Sequence, residues 1–247
     1  MNKHEKIKLV EELAANAHVA LNSVQFDGWI LRFSEGHTGR ANSISVIYPS
    51  SFDVEQKIPY CEEMYAKQNL PCIFKLTDGN EELNDILTKR GYQVITPTDV
   101  CFWDISDVNM PEGDIEFFDK AEEEWLSAYF KLEGFGEKQQ NIYRRMIEKV
   151  FVNQKYVAIK ENGEIIAVAS LVSEGDQMLL HNVVVDKNQR GKGYGRKVCN
   201  SLLAKAKECG IKTCWLQVVI DNVPAYKLYE SIGFKKEYTY WYMRKKS

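Results

Sequence analysis

The sequence predicts an α/β (α+β) protein in two parts, and three observations carry that expectation. Short β-branched or aromatic runs alternate with amphipathic stretches along the whole chain. At 247 residues the chain exceeds the ~150 residues usual for one domain, and one polar, non-periodic stretch with both breakers, Asp104 to Gly113, interrupts the pattern. A strand, a glycine-rich basic loop and a helix follow one another between Val183 and Cys209. The boundary is therefore expected near residue 110, giving parts 1–110 and 111–247.

In the first part, Trp29 to Phe33, Asn42 to Tyr48, Cys72 to Leu76 and Val100 to Ile105 read as strands, and Asp53 to Gln68 and Glu81 to Lys89 as helices. In the second, Asp114 to Phe118 reads as a strand and Lys120 to Glu133 and Lys138 to Phe151 as helices. Tyr156 to Lys160 and Ile165 to Val172 alternate around Glu161-Asn162-Gly163-Glu164, which has hairpin character. Met178 to Val185 is the next strand. The helix after the glycine loop carries Val198, Leu202, Leu203 and Ala206 on one stripe, and Gly210 can end it. Thr213 to Val219 is a strand, and Asp221-Asn222-Val223-Pro224 starts a helix, with Asn222 placed to cap it, Pro224 tolerated in its first turn, Ala225, Leu228, Tyr229 and Ile232 at helical spacing and Gly233 closing it. The aromatic run Tyr238 to Tyr242 suits either a core strand or a contact surface.

Composition narrows the function. With 45% hydrophobic and 27% charged residues the chain is neither disordered nor collagenous. A net charge of -3 argues against a broad nucleic-acid surface. No apolar run reaches the ~18 residues of a membrane span, and the polar start without an h-region speaks against a secretory signal, so a cytoplasmic protein is expected. Six cysteines form no C-x-x-C pair and four histidines no H-E-x-x-H. Reduced structural thiols and no metal are the expectation.

The most informative segment is Asp186-Lys187-Asn188-Gln189-Arg190-Gly191-Lys192-Gly193-Tyr194-Gly195-Arg196. Glycines at alternate positions before a helix bring backbone N–H groups close to an anion, and the helix N-terminus and the basic residues add positive charge. A diphosphate suits such a loop. A dinucleotide fingerprint would need Gly where Arg196 stands, and a Walker loop would need Lys-Ser/Thr after Gly193. With Arg190 leading into Gly193 and Gly195, or Gln189-Arg190 into Gly191, the loop resembles the pyrophosphate loop Q/R-x-x-G-x-G/A of the GNAT superfamily of N-acetyltransferases. A second hallmark, N-x-x-A-x-x-L-Y-x-x-x-G-F, runs from Asn222 to Phe234 without a departure.

The resemblance implies a mixed, largely antiparallel central sheet flanked by helices, and acetyl-CoA as cofactor, held by Val183, Val185, Gln189, Arg190, Gly191, Lys192, Gly193, Tyr194, Gly195, Arg196, Asn222 and Tyr226. It places the Val185 N–H near the thioester carbonyl and the pantetheine arm between the strands ending at Val185 and Val219. It makes Tyr229 the proton donor to the departing thiolate, with Tyr226 as fallback. A phenol with a pKa of about 10 is protonated at neutral pH. His181, which strict alternation puts on the face of Val183 and Val185, is the candidate base or a packed strand residue; Glu133 and Glu137 are the alternatives. Phe135 joins those two glutamates as a candidate acceptor contact. Cys199 sits inside a helix with no His at motif spacing, so direct attack in a ternary complex is expected.

The expected reaction is transfer of an acetyl group to a primary amine of a small molecule or peptide. A non-catalytic coenzyme A sensor and a transferase of longer acyl groups are the alternatives. Trp125, Tyr129, Phe130, Glu133, Phe135 and Glu137 suit a cationic or aromatic amine, or simply a helix pair.

Set without gaps, Cys72 to Tyr92 meets Cys214 to Phe234 with Asn80 on Asn222 and Gly91 on Gly233, which suggests tandem GNAT-like halves. Leu87 stands where Tyr229 stands, and no glycine lies between Gly39 and Gly79. The first half is thus expected to be degenerate and unable to hold coenzyme A in the usual way. Gly36 to Arg40 reads as a solvated hairpin loop from which Arg40 could reach an acceptor carboxylate.

Overall fold

A computed structural model describes residues 2–105 and 108–246. Its elements are α1 (Lys3–Ala17), β1 (Asn22–Phe26), β2 (Trp29–Phe33), β3 (Ile44–Val46), α2 (Val54–Ala66), β4 (Ile73–Thr77), α3 (Glu81–Lys89), β5 (Tyr92–Asp104), β6 (Ile115–Phe118), α4 (Glu123–Glu133), α5 (Glu137–Ile147), β7 (Asn153–Glu161), β8 (Glu164–Glu174), β9 (Gln177–Val185), α6 (Tyr194–Glu208), β10 (Thr213–Val219), α7 (Val223–Ile232) and β11 (Lys235–Lys245). The expected elements are present. None of the described helices is long and apolar enough to cross a membrane.

All strands join one sheet in the order β1-β2-β3-β4-β11-β5-β10-β9-β8-β7-β6, antiparallel except at β3/β4 and β9/β10. The last strand of the chain, β11, lies between β4 and β5, and β5 lies between β11 and β10. Each β-α-β unit thus passes its final strand across the centre of the sheet. Tyr238, Tyr240 and Tyr242 of β11 are buried, so the aromatic run is a core strand. Of the stretch expected to be a linker, Asp104 ends β5 and Val108 is buried against the α6 side, while Ser106 and Asp107 lie outside the described residues.

Two departures have clear causes. The reading from the sequence started β5 at Val100, whereas it starts at Tyr92, because Tyr92 to Thr98 pair with Lys245 to Tyr240 from the far end of the chain. Pro97 and the left-handed Thr96 (φ 49°) disguise that extension as a turn. Helix α1 went unread, although Asn2 and Glu5 close a reciprocal capping box at 2.9 and 2.8 Å. It covers the sheet centre with Ile7, Val10, Leu13, Ala14 and Ala17 against Trp215, Tyr238 and Tyr240.

Helix α6 packs Val198, Leu202, Leu203 and Ala206 on Met178, Leu180, Cys214 and Leu216. Helix α4 buries Trp125, Leu126, Tyr129 and Phe130 against the opposite sheet face with Tyr156, Val168 and Val184. These two layers hold β9 from both sides, which matters because β9 carries the site.

Candidate active site

The parallel pairing of β9 with β10 runs from Gln177↔Thr213 to Leu180↔Leu216 and is not continued by His181 to Val185 and Gln217 to Val219. The strands part at that point because β9 bulges. Asn182 takes φ 54°, and the β8/β9 register shifts between Val168 and Ser170. Asn182 holds the kink through its side chain. It accepts from the Tyr129 hydroxyl at 3.1 Å and donates to the Tyr143 and Ser170 hydroxyl oxygens, both at 2.9 Å.

The bulge corrects the alternation expected for His181. Met178 and Leu180 face α6 before it, and Val183 and Val185 face α6 after it. His181 therefore falls on the other face, with Leu179 and Val184, and not beside Val183 and Val185.

The parted strands open onto a cavity of about 590 Å³. Of the residues singled out as candidates in the sequence, Arg40, Tyr129, Glu133, Phe135, His181, Val183, Asn222 and Tyr229 line it. Val185, the Gln189 to Arg196 loop, Tyr226 and Glu137 do not. Glu137 opens α5 at an exposed position. Trp125 and Phe130 are core: the Trp125 indole N–H donates to the Val157 carbonyl at 3.0 Å. They make a helix pair and not an acceptor surface.

The glycine loop lies at the outer end of β9. Asp186 caps its first turn by accepting from the Asn188 N–H at 2.7 Å. Gly193 is the N-cap of α6 at φ 87° and Gly191 has φ 80°; a Cβ on either would meet no atom within 4 Å. The loop therefore borders open space on the Cα side of both glycines, which leaves room for an anion beside the start of α6. Gly195 serves differently, since a Cβ there would lie 3.0 Å from Leu228 of α7.

The basic residues divide. Lys192 bonds Gln189 at 2.7 Å within the loop, and Arg190 reaches the Val185 carbonyl at 3.3 Å. Arg196 donates to the Ser231 carbonyl at 3.0 Å and hydroxyl at 2.6 Å, tying α6 to α7. The Tyr194 hydroxyl donates to Glu161 at 2.5 Å.

Helix α7 is set as its sequence demands. Asn222 Oδ1 accepts from the Ala225 N–H at 3.3 Å, and Pro224 occupies the first turn. Tyr229 follows on the inward stripe, its ring 6.0 Å from that of Phe234. Burial pushes its phenol well above the ordinary tyrosine range, so the proton is held firmly at neutral pH. Tyr226 points to a smaller cavity of about 460 Å³ and donates to Asp99 at 3.2 Å. Cys199 is buried in α6 with its thiol pushed up to about 12 by burial, the reverse of what a nucleophile needs.

The two candidate bases differ in kind. His181 is 9% exposed, its Nδ1 has no hydrogen-bond partner, and burial with nearby Arg40 lowers its pKa to about 3. Glu133 stands at the rim, where desolvation raises its carboxyl while Arg40 and Arg190 pull it back.

Burial also lowers the pKa of His18 and His37, more strongly for His18. All three histidines are thus held neutral below their unfolded value of about 6.5, and the unfolded chain binds more protons there. Stability is expected to be flat above about pH 6.5 and to fall below it, each histidine adding about 1.4 kcal/mol per pH unit until its folded pKa is reached. Urea melts between pH 7.5 and 5 should show a shallower fall for His181→Asn than for the wild type. An identical slope would mean that His181 titrates normally in the folded protein.

The first half enters the cavity through Gly36 to Arg40, a correction to the solvated loop expected there. His37 is buried, its ring 5.3 Å from Phe135 and 6.0 Å from Tyr143. Asn42 accepts from the Ser34 and Gly36 N–H groups at 2.7 and 3.0 Å and donates to the Thr38 carbonyl at 2.8 Å. Thr38 caps the turn Gly39–Ala41. Arg40 then projects into the cavity beside Tyr240 and Tyr242 of β11. The sequence carried no local signal for Asn182, Gln217, Tyr240 or Tyr242 as lining residues, because remote strand pairing brings them together.

The corresponding positions in residues 1–110 are filled by the chain itself. Leu87 is fully buried in the core. Ahead of α2, the Ser51 and Phe52 amides are taken by the Asp27 carboxylate at 2.9 and 2.8 Å, which also accepts from Ser50 at 2.6 Å and Lys57 at 3.0 Å. Those bonds, led by Ser50, hold the Asp27 carboxyl far below its ordinary range. The chain's own carboxylate fills the anion position there.

Comparison with known proteins agrees with this arrangement. A family model described as probable histone acetyltransferase Rv0428c C-terminal matches residues 5–243. The chain is 28% identical over 242 residues, 93% of its own length and 95% of the other's, to the uncharacterized N-acetyltransferase YobR of Bacillus subtilis. It is 36% identical over 86 residues, 35% of this chain and 57% of the other protein, to the [ribosomal protein bS18]-alanine N-acetyltransferase of Haemophilus ducreyi. In fold it is similar to a GCN5-related N-acetyltransferase from Kribbella flavida, with a TM-score of 0.72 at 15% identity over 98% of this chain and 95% of that one. The protein belongs to the Rv0428c-like acetyltransferase family and is an N-acetyltransferase of the GNAT superfamily.

Proposed function

We propose that the protein transfers an acetyl group from acetyl-CoA to a primary amine of a small molecule or peptide, by direct attack in a ternary complex in the cytoplasm. The observation that carries this reading is the parting of β9 and β10 after Leu180 and Leu216, between an open glycine cradle and a cavity holding Tyr229. The donor fits the residues present, since a Cβ at Gly191 or Gly193 would meet open space beside the start of α6 and the gap between the strands leaves main-chain groups of Val183 to Val185 for the pantetheine arm.

In this reading residues 111–247 hold the donor and residues 1–110 shape the acceptor side. The cradle from Gln189 to Gly195 holds the pyrophosphate, with Arg190 and Lys192 supplying charge, and Asn222 borders the arm. When bound, acetyl-CoA supplies a thioester whose C–S bond breaks as the amine nitrogen forms the amide. The Val185 N–H stabilises charge developing on the carbonyl oxygen. Tyr229 Oη gives its proton to the departing sulfur.

The amine must lose a proton to the protein. A base works best with a pKa near the working pH, so the raised Glu133 carboxyl suits this role, directly or through water, better than His181 at about 3. His181 remains a neutral hydrogen-bonding group of the cavity wall. The Haemophilus ducreyi relative is named for acetylation of an alanine of a ribosomal protein, which keeps a peptide amine among the acceptors to be tried.

The test is calorimetry with acetyl-CoA, followed by thiol release with a panel of amines, amino acids, antibiotics and peptides. Micromolar donor binding and acceptor-dependent release are expected. Binding without release above hydrolysis for every acceptor would favour a coenzyme A sensor.

A further inference from the structure

The cavity wall, built by the parted strands, β11 and the turn at Arg40, is rich in polar atoms that the protein does not use. Of the buried side-chain N and O atoms left without a partner among the described residues, five belong to this wall: both ring nitrogens of His37, His181 Nδ1, Gln217 Nε2 and Tyr242 Oη. Buried polar atoms are normally bonded, so a cluster of them implies a polar occupant. Arg40 stands among them with the Tyr240 phenol as its hydrogen-bond partner, and Arg244 lines the same cavity. Among the described residues no carboxylate lies within ion-pair distance of either arginine.

The contrast between half-buried Arg40 and the buried cations is informative. Lys57 is paired with Asp27 and Lys75 with Glu11, while the Arg32 guanidinium is satisfied by the carbonyls of Arg40, Ala15 and His18. Arg40 has no such neutralisation. Its charge lowers His181 and pulls on Tyr229 and Glu133, so it lies within electrostatic reach of the groups proposed for proton transfer. A desolvated guanidinium beside amide and phenol donors is a receptor for a planar monoanion.

Building on the acetyltransferase reading, we infer that the acceptor is an amine that itself carries a carboxylate, such as a free amino acid, and that Arg40 binds that carboxylate and determines specificity. The carboxylate would take the Arg40 fork and the Gln217 and Tyr242 donors, leaving the amine toward Tyr229 and Glu133. An amine at a protein N-terminus has no free carboxylate beside it and would leave Arg40 unpaired, which a buried charge tolerates poorly.

The experiment compares kcat/KM of the wild type for α- and ω-amino acids, their carboxamides and their aminophosphonic analogues, by thiol release and product mass. At least a ~100-fold preference for a carboxylate over its carboxamide is expected, expressed mainly in KM. Arg40→Gln should erase that preference while acetyl-CoA affinity by calorimetry is unchanged, and Arg40→Lys should restore part of it. Carboxamides or phosphonates used as well as carboxylates, or an Arg40→Gln protein that keeps the preference, would overturn the inference and leave the acetyltransferase reading intact. Failure of acetyl-CoA to bind the wild type would overturn both. Should Arg40→Gln not fold, the wild-type series and Arg40→Lys still decide.

Discussion

Gly193→Val is expected to lower affinity for acetyl-CoA by at least ~100-fold, because two effects combine at one position. The residue sits at φ 87°, where a β-branched side chain is strained by roughly 1–3 kcal/mol, and the loop would relax away from the N-cap geometry that aims its amides outward. A Cβ there meets no protein atom within 4 Å, so the fold itself has room for the side chain. The space it enters is the space assigned to the pyrophosphate. Calorimetry should register weak or no heat while the protein still melts cooperatively, its melting temperature lowered by no more than about 10 °C. Gly193→Ala should fall between the two. Normal affinity in the valine protein would remove the loop from the donor site.

Tyr229→Phe should lower kcat by ~10²-fold or more with little change in donor affinity, the range over which a positioned general acid acts. Removing the hydroxyl keeps the ring that packs 6.0 Å from Phe234, so the helix should hold its place. The loss should be smaller with a thioester whose thiol is more acidic, since a weaker base leaving needs less help from the phenol. Tyr226 should not rescue the reaction, because its hydroxyl is engaged by the Asp99 carboxylate. An unchanged kcat would take Tyr229 out of the mechanism.

These two positions were legible because each is a local pattern. Alternate glycines before a helix and an Asn-capped helix ending in Gly-Phe declare themselves within about a dozen residues, and the structure builds both as that spacing requires. Most element types were legible for the same reason, since hydrophobic period depends on near neighbours. The corrections come from contacts remote in sequence. The face of His181 turned on a bulge held by Tyr129 and Tyr143, some 40 to 50 residues away, which period-2 alternation does not contain. The full length of β5 depended on β11, about 140 residues on.

The acceptor side was the least legible part. Gly36 to Arg40 has the composition of a solvated turn, and only its docking on Phe135 and Tyr143 buries His37 and brings Arg40 into the cavity. By itself the sequence determined the family, the glycine turn before α6 and the Asn-capped helix that carries Tyr229, because backbone conformation and capping are written in adjacent residues. The tertiary structure alone decided that residues from both ends of the chain build one cavity, because strand exchange across the sheet centre brings Arg40, Tyr240 and Tyr242 to the cavity that Tyr229 lines and leaves the half-buried guanidinium there without a carboxylate partner among the described residues.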